Sequence, residues 1–171
     1  MPQYVTRFGS LAAYEKGGVD AIDDDPKHYA FSNVFEVASQ ARPWEKVAVA
    51  RNQQYVLEAI RAEGTSEWRT CAHDEFALVM DGRVTVELRQ LDAAARAPDD
   101  KEGSVRLAAE PTGQPMGRIV ATRGHMALLP ANAAYRMHAE EPASVLLQTI
   151  AGDDTVERWA EICQTAARRT A

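Results

Sequence analysis

From Phe76 to Met80 the chain is continuously apolar, and after an Asp81-Gly82 step apolar and polar side chains alternate to Arg89. Phe76, Leu78 and Met80 precede that step, and Val84, Val86 and Leu88 follow, interleaved with Arg83, Thr85 and Glu87. A period of two sends alternate side chains to opposite faces of a strand. Asp-Gly supplies the positive φ of a tight turn, so the stretch predicts a β-hairpin. Further strands are predicted over 45–50, 55–63, 105–109, 118–122, 125–129, 135–138 and 145–151, with turn residues between them. Many short strands at close spacing, with no helices alternating between them, predict an all-β barrel or jelly roll.

The two ends read differently. Asp25-Pro26 has the form of an N-cap and first helical position, and Phe31, Val34, Phe35 and Ala38 follow at helical spacing, so a helix is predicted to about Gln40. Pro43 stops it. At the far end, Asp153-Asp154-Thr155 precedes Val156, Trp159, Ala160 and Cys163 at helical spacing, and Arg168-Arg169 completes a capped C-terminal helix. The predicted organisation is a helical extension over 1–44, a barrel over 45–151 and a helix over 152–171. Trp44 and Trp159 are expected to anchor the flanking segments, and 91–103, rich in Ala, Asp and Pro, to be an exposed connection.

With 171 residues, 46% of them hydrophobic and 26% charged, the chain fits one ordinary domain. Nineteen Lys and Arg against twenty-five Asp and Glu leave a net charge of -6, which argues against nucleic-acid phosphates or anionic lipid as partners. The first ten residues hold no apolar core of a signal peptide, and no apolar run approaches the roughly 20 residues of a membrane span, so a cytoplasmic protein is expected. Cys71 and Cys163 follow no zinc or redox spacing and are read as reduced thiols.

Two blocks carry the chemistry. Cys71-Ala72-His73-Asp74-Glu75, with Gly82 seven positions after Glu75, resembles the first cupin motif, in which a His-x-His pair, a Glu and a closing Gly follow in order. Gly124-His125 through Pro130, then Ala131-Asn132, resembles the second motif, with Asn132 where a Gly normally turns the chain. The pair of blocks implies a cupin-type barrel. A cupin metal site needs two His and the Glu from the first motif and one His from the second, a set suited to Fe(II), Mn or Ni. Here Arg69 and Cys71, or Trp68 and Thr70 in the longer spacing, hold the His-x-His positions and Tyr135 holds the second-motif His position, so only Glu75 survives. A permanent guanidinium beside a single carboxylate opposes a divalent ion. The expectation is a degenerate cupin that carries no metal of its own.

Alternatives remain at this level. A rearranged site could be assembled from Cys71, His73, Glu75 and His138, or metal-free acid/base work could fall to Glu75, His73 and Tyr135. A stand-alone sensor would use the emptied barrel as an apolar pocket. The bland readings are a hydrogen-bonded His73, a packed and inert Cys71, and ordinary histidines at His28 and His125. Trp68, after the Gly64-Thr65-Ser66 loop, is expected at the barrel rim, where it either plugs its own barrel or meets a partner.

The run 62–76, which contains Glu67-Trp68-Arg69-Thr70-Cys71, is similar to the small subunit of the two-component, Fe(II)-dependent hydroquinone 1,2-dioxygenases. That resemblance implies a cupin without metal, paired with a larger cupin subunit that holds the iron. Together they would open the ring of an aromatic diol, hydroquinone, to 4-hydroxymuconic semialdehyde. It also implies that Trp68, Arg69, Cys71, His73, Glu75 and Tyr135 form a partner-facing or active-site rim rather than a catalytic set.

Overall fold

The computed structural model describes residues 8–17, 19–23, 32–162 and 167–169. In chain order the elements are β1 (Val19–Ala21), α1 (Val34–Gln40), β2 (Lys46–Arg51), β3 (Val56–Thr65), β4 (Arg69–Cys71), β5 (Glu75–Asp81), β6 (Arg83–Gln90), β7 (Ser104–Arg106), β8 (Pro115–Thr122), β9 (Met126–Leu129), β10 (Ala133–Thr149), β11 (Thr155–Val156), α2 (Trp159–Ile162) and β12 (Ala167–Arg169). Ten of the strands, β2 to β11, form one curled antiparallel sheet with a parallel β11 on β2, and the short β1 pairs with β12. No helix among the described residues is long and apolar enough to cross a membrane.

The barrel is built on β10, which serves both halves of the sheet. One flank of β10 pairs with β3 and then β4, from Thr149↔Val56 through His138↔Thr65 to Ala134↔Thr70. The other flank pairs with β5 and then β6, from Gln148↔Phe76 to Ala133↔Gln90. Beyond these, β9 follows β5 and β8 follows β6. Three long antiparallel paths, 75–90, 115–129 and 133–149, therefore bend at one level, at Gly82, at 123–125 and at 140–142. This is the cupin-type, all-β barrel expected from the sequence.

The Asp81-Gly82 hairpin is corrected by this pairing. β5 and β6 do not pair with each other; they run on as a single bent path along β10. Gly82 does adopt a positive φ of 80°, but a Cβ there would lie 2.6 Å from the Ala143 Cβ. Its freedom is used to turn a barrel corner opposite the register shift in β10. The predicted strands over 135–138 and 145–151 are likewise one strand.

Inward-facing residues of the long paths, among them Val79, Val84, Val86, Ala121, Leu129, Met137, Val145 and Leu147, form the main core. Outside β2 and β3, α1 covers Val47 and Ala59 with Val37 and Ala41. The helix begins later than its periodicity predicts, because Asn33 stays extended and its side chain accepts from the backbone N–H groups of Phe35 and Glu36. The Asp25-Pro26 start lies outside the described residues. At the C-terminal end the predicted helix is not continuous: Thr155–Val156 joins the sheet edge beside Lys46 and Val47, and among the described residues helix covers Trp159–Ile162. Thr155 is held there by its hydroxyl, which donates to buried Glu58. Cys163 lies outside the described residues, and Arg168-Arg169 is strand.

Candidate functional site

The four cupin ligand positions lie on β4, on β5 and at the start of β10. Glu75 is fully buried, and the Tyr135 hydroxyl donates to its Oε2 at 2.7 Å. Burial, then the charge of Glu75, push the Tyr135 hydroxyl well above the usual tyrosine range, so it stays a donor. Arg69, in register with Tyr135, donates through Nε to the Ser104 hydroxyl at 2.9 Å and pairs with Asp154. Lys46 Nζ reaches the same Ser104 hydroxyl at 2.7 Å and lies 3.4 Å from Glu58 Oε2. Arg69 and Tyr135 thus converge as their spacing predicts. The donor set does not fit an iron held by two His and one carboxylate: a guanidinium, a thiol and a protonated phenol stand at the three His positions, and the phenol occupies one oxygen of Glu75.

The rearranged set comes together in part. Ligand atoms of Cys71, His73 and Glu75 lie within 4.8 Å of one another. His138 is elsewhere: it is exposed on the alternate face of β10, with Nδ1 2.8 Å from the Thr65 hydroxyl. Of the three that meet, His73 and Cys71 are committed to internal bonds, while Glu75 keeps one buried oxygen, Oε1, without a partner among the described residues. His73 Nε2 accepts from the Ile150 N–H at 3.2 Å, which places the proton of a neutral ring on Nδ1, 3.2 Å from the Cys71 sulfur. The thiol donates to the Gly103 carbonyl at 3.3 Å. Ligation through Nε2 would orphan the Ile150 N–H, and ligation through Nδ1 would move the ring proton against it. Burial, then the charge of Glu75, push the Cys71 thiol up to about 11, so at neutral pH it is no nucleophile. These are the bland readings of His73 and Cys71.

Trp68 is only 6% exposed and packs with Leu91 and Ala134. The guanidinium carbons of Arg136 and Arg89 stand 4.6 and 5.5 Å from its ring centroid. It lies away from the cleft that Arg69 and Tyr135 line. That cleft, of about 530 Å³, is lined by the buried Ile60, Met137, Leu147 and Lys46 and by the more exposed Trp44 and Asp154. Lys46, Glu58, Ser104 and Asp154 were not singled out from the sequence. A signal existed for Glu58, which shares strand parity with Val56, Ile60 and Ala62 and is thus a carboxylate in an inward-facing row.

No protein-family model matches the chain, and no curated protein matches it. Among solved structures it is similar to a chain of hydroquinone 1,2-dioxygenase from Sphingomonas sp. TTNP3 with 4-hydroxybenzoate bound. The two are 58% identical over 96% of this chain and 100% of that one, with a TM-score of 0.92. It is also similar to a chain of hydroquinone 1,2-dioxygenase PnpCD in complex with Cd2+ and 4-hydroxybenzonitrile, at 51% identity over 95% and 98% of the two chains and a TM-score of 0.88. A longer chain of the Sphingomonas sp. TTNP3 enzyme, in complex with 4-nitrophenol, shares the fold alone. There the identity is 14%, over 92% of this chain but 43% of that one, with a TM-score of 0.57.

Proposed function

This chain belongs to the hydroquinone 1,2-dioxygenase family, and from that premise we propose that it is the small, non-catalytic subunit of such an enzyme. In this reading a longer cupin chain holds Fe(II), and this chain supports assembly and helps to enclose the iron-bearing site. The reaction joins hydroquinone and O2 into 4-hydroxymuconic semialdehyde, with one ring C–C bond broken and both oxygen atoms retained. Iron supplies the activation of oxygen and diol; no residue of this chain is given a covalent or redox part.

The observation that carries the reading is the Tyr135 hydroxyl bonded to Glu75, with Arg69 beside it, where a catalytic cupin keeps histidines and metal. Two further points support it. This chain is coextensive with one chain of the Sphingomonas sp. TTNP3 enzyme, while a longer chain of that enzyme has the same fold. On the outer face, Phe76 and Leu128 stand opposite each other in register and, with Met126, are 40 to 62% exposed, an apolar strip suited to assembly. The rim role falls to Arg69 and Tyr135 at the cleft, with Trp68, Cys71, His73 and Glu75 holding the strands behind them. A cytoplasmic location is part of the same proposal.

Co-expression with the longer chain tests it. The two should elute together in gel filtration, and hydroquinone consumption with Fe(II) and O2 should require both. Ring cleavage by this polypeptide alone would sink the proposal.

A further inference from the structure

After β10 the chain passes along the cleft, and its side chains are tied one by one to different elements. Asp153 pairs with Lys101 in the 91–103 connection, Asp154 with Arg69 on β4, Glu157 with Arg51 on β2, and Arg158 with Glu45 just before β2. Between them the Thr155 hydroxyl donates to Glu58 on β3 at 2.6 Å. The sixth residue of the run, Val156, lines the cleft together with Asp154. At the base of the run Gly152 and Gly103 meet backbone to backbone, so closely that a Cβ on Gly103 would stand 2.6 Å from the Gly152 Cα. The segment therefore leaves the barrel from a fixed point.

Apolar packing adds little to this attachment. None of residues 151–159 is buried, and none belongs to the apolar clusters of the barrel. Backbone pairing to the sheet is limited to Thr155 with Lys46 and Val156 with Val47. In three of the four ion pairs at least one side chain is half exposed or more, so salt screens them. Letting go strands no buried charge on the barrel: Glu58 keeps Lys46, Arg69 keeps the Ser104 hydroxyl, and Glu45 keeps Arg42. A segment fixed at one point and fastened mainly by charge opens at a lower free energy than the sheet on which it lies. We propose that residues 153–158 are a charge-fastened strap, and that its release by competing ions bares the cleft residues Ile60, Met137 and Leu147. The strap belongs to this chain alone and does not depend on the subunit reading.

Hydrogen exchange of the full chain, read by mass spectrometry at fixed pH, tests it. Peptides over 153–158 should exchange at least about fivefold faster in about 1 M NaCl than in about 0.02 M, while peptides of β10 keep their protection. Asp153→Asn combined with Glu157→Gln removes two exposed pairs, and this variant should exchange fast already at low salt with its melting temperature little changed. Access to the cleft is read separately. Leu147→Cys, modified by a neutral maleimide, should label faster in step with the strap once the rate of the parent chain is subtracted, and Met137→Cys takes its place if Leu147→Cys loses its melting transition. Equal protection of 153–158 at both salt concentrations, an equal rise in β10, a double variant that exchanges like wild type, or cleft labelling that ignores salt overturns the proposal. Failure of ring cleavage with the longer chain would sink the subunit reading and leave this result untouched.

Discussion

Trp68 sits in a pocket made by its own chain, with Leu91 and Ala134 in its cluster and Arg136 and Arg89 over the ring. Truncating an indole so enclosed removes most of one small core. Trp68→Ala should therefore lower the stability of the isolated chain by about 3 to 5 kcal/mol in urea melts. A variant that melts like wild type but assembles poorly with the longer chain would make Trp68 an interface residue instead. Cys71 gives a pH prediction. Its thiol is pushed up from an ordinary value of 9.0 to about 11. Because the folded value is the higher one, the stability linked to this thiol is fully present below about pH 9 and is lost as pH rises toward 11. Wild type should lose more stability between pH 8 and pH 10.5 than Cys71→Ala. Parallel losses would show that the thiol is not the group responsible.

At the scale of elements, the corner at Gly82 is the most exacting. Its positive φ and the 2.6 Å approach of a would-be Cβ to Ala143 act together. Gly82→Ala should cost about 1 to 3 kcal/mol, more than a turn in open solvent would. Gly64 serves as the control: it too has a positive φ, of 70°, but a Cβ there meets nothing within 4 Å. Equal losses at the two positions would mean that backbone strain alone accounts for Gly82. The pattern of 76–89, an apolar run and then a period of two, made both strands legible. It could not reveal that they continue past each other, because a positive φ serves a hairpin and a barrel corner equally well. Asn132 is the opposite case. The sequence assigned it the left-handed position after the second motif, and it adopts a φ of 62° there, since an Asn side chain tolerates that conformation wherever the strand leads.

For the whole molecule, the question is whether the barrel holds a metal. Protein purified from Fe(II)- or Mn-supplemented medium should carry no stoichiometric transition metal by elemental analysis. The Arg69 guanidinium has no lone pair to give, Cys71 and Tyr135 keep their protons at neutral pH, and His73 is held in internal bonds, so too few ligands stand where three histidines are needed. One tight equivalent that disappears on His73→Ala would restore the Cys71, His73 and Glu75 cluster as a metal site.

The sequence by itself determined most of the long strands, such as β2, β3, β6 and β9, since strand patterning follows from local geometry, and it determined the loss of the cupin ligands, since that depends only on which residue stands at which motif position. It also carried the family, through the run around Trp68. Pairing was decided only in three dimensions: β10 as the shared strand, Gly82 as a corner, and Thr155–Val156 drawn into the sheet by buried Glu58 rather than wound into a helix. So was the company of Arg69. Lys46, Glu58, Ser104 and Asp154 are scattered over more than a hundred residues of sequence and meet only because the sheet curls on itself. Local propensity fixes what a strand is, but its partner is chosen by the closure of the barrel, where burying the apolar face outweighs the preference of any one segment.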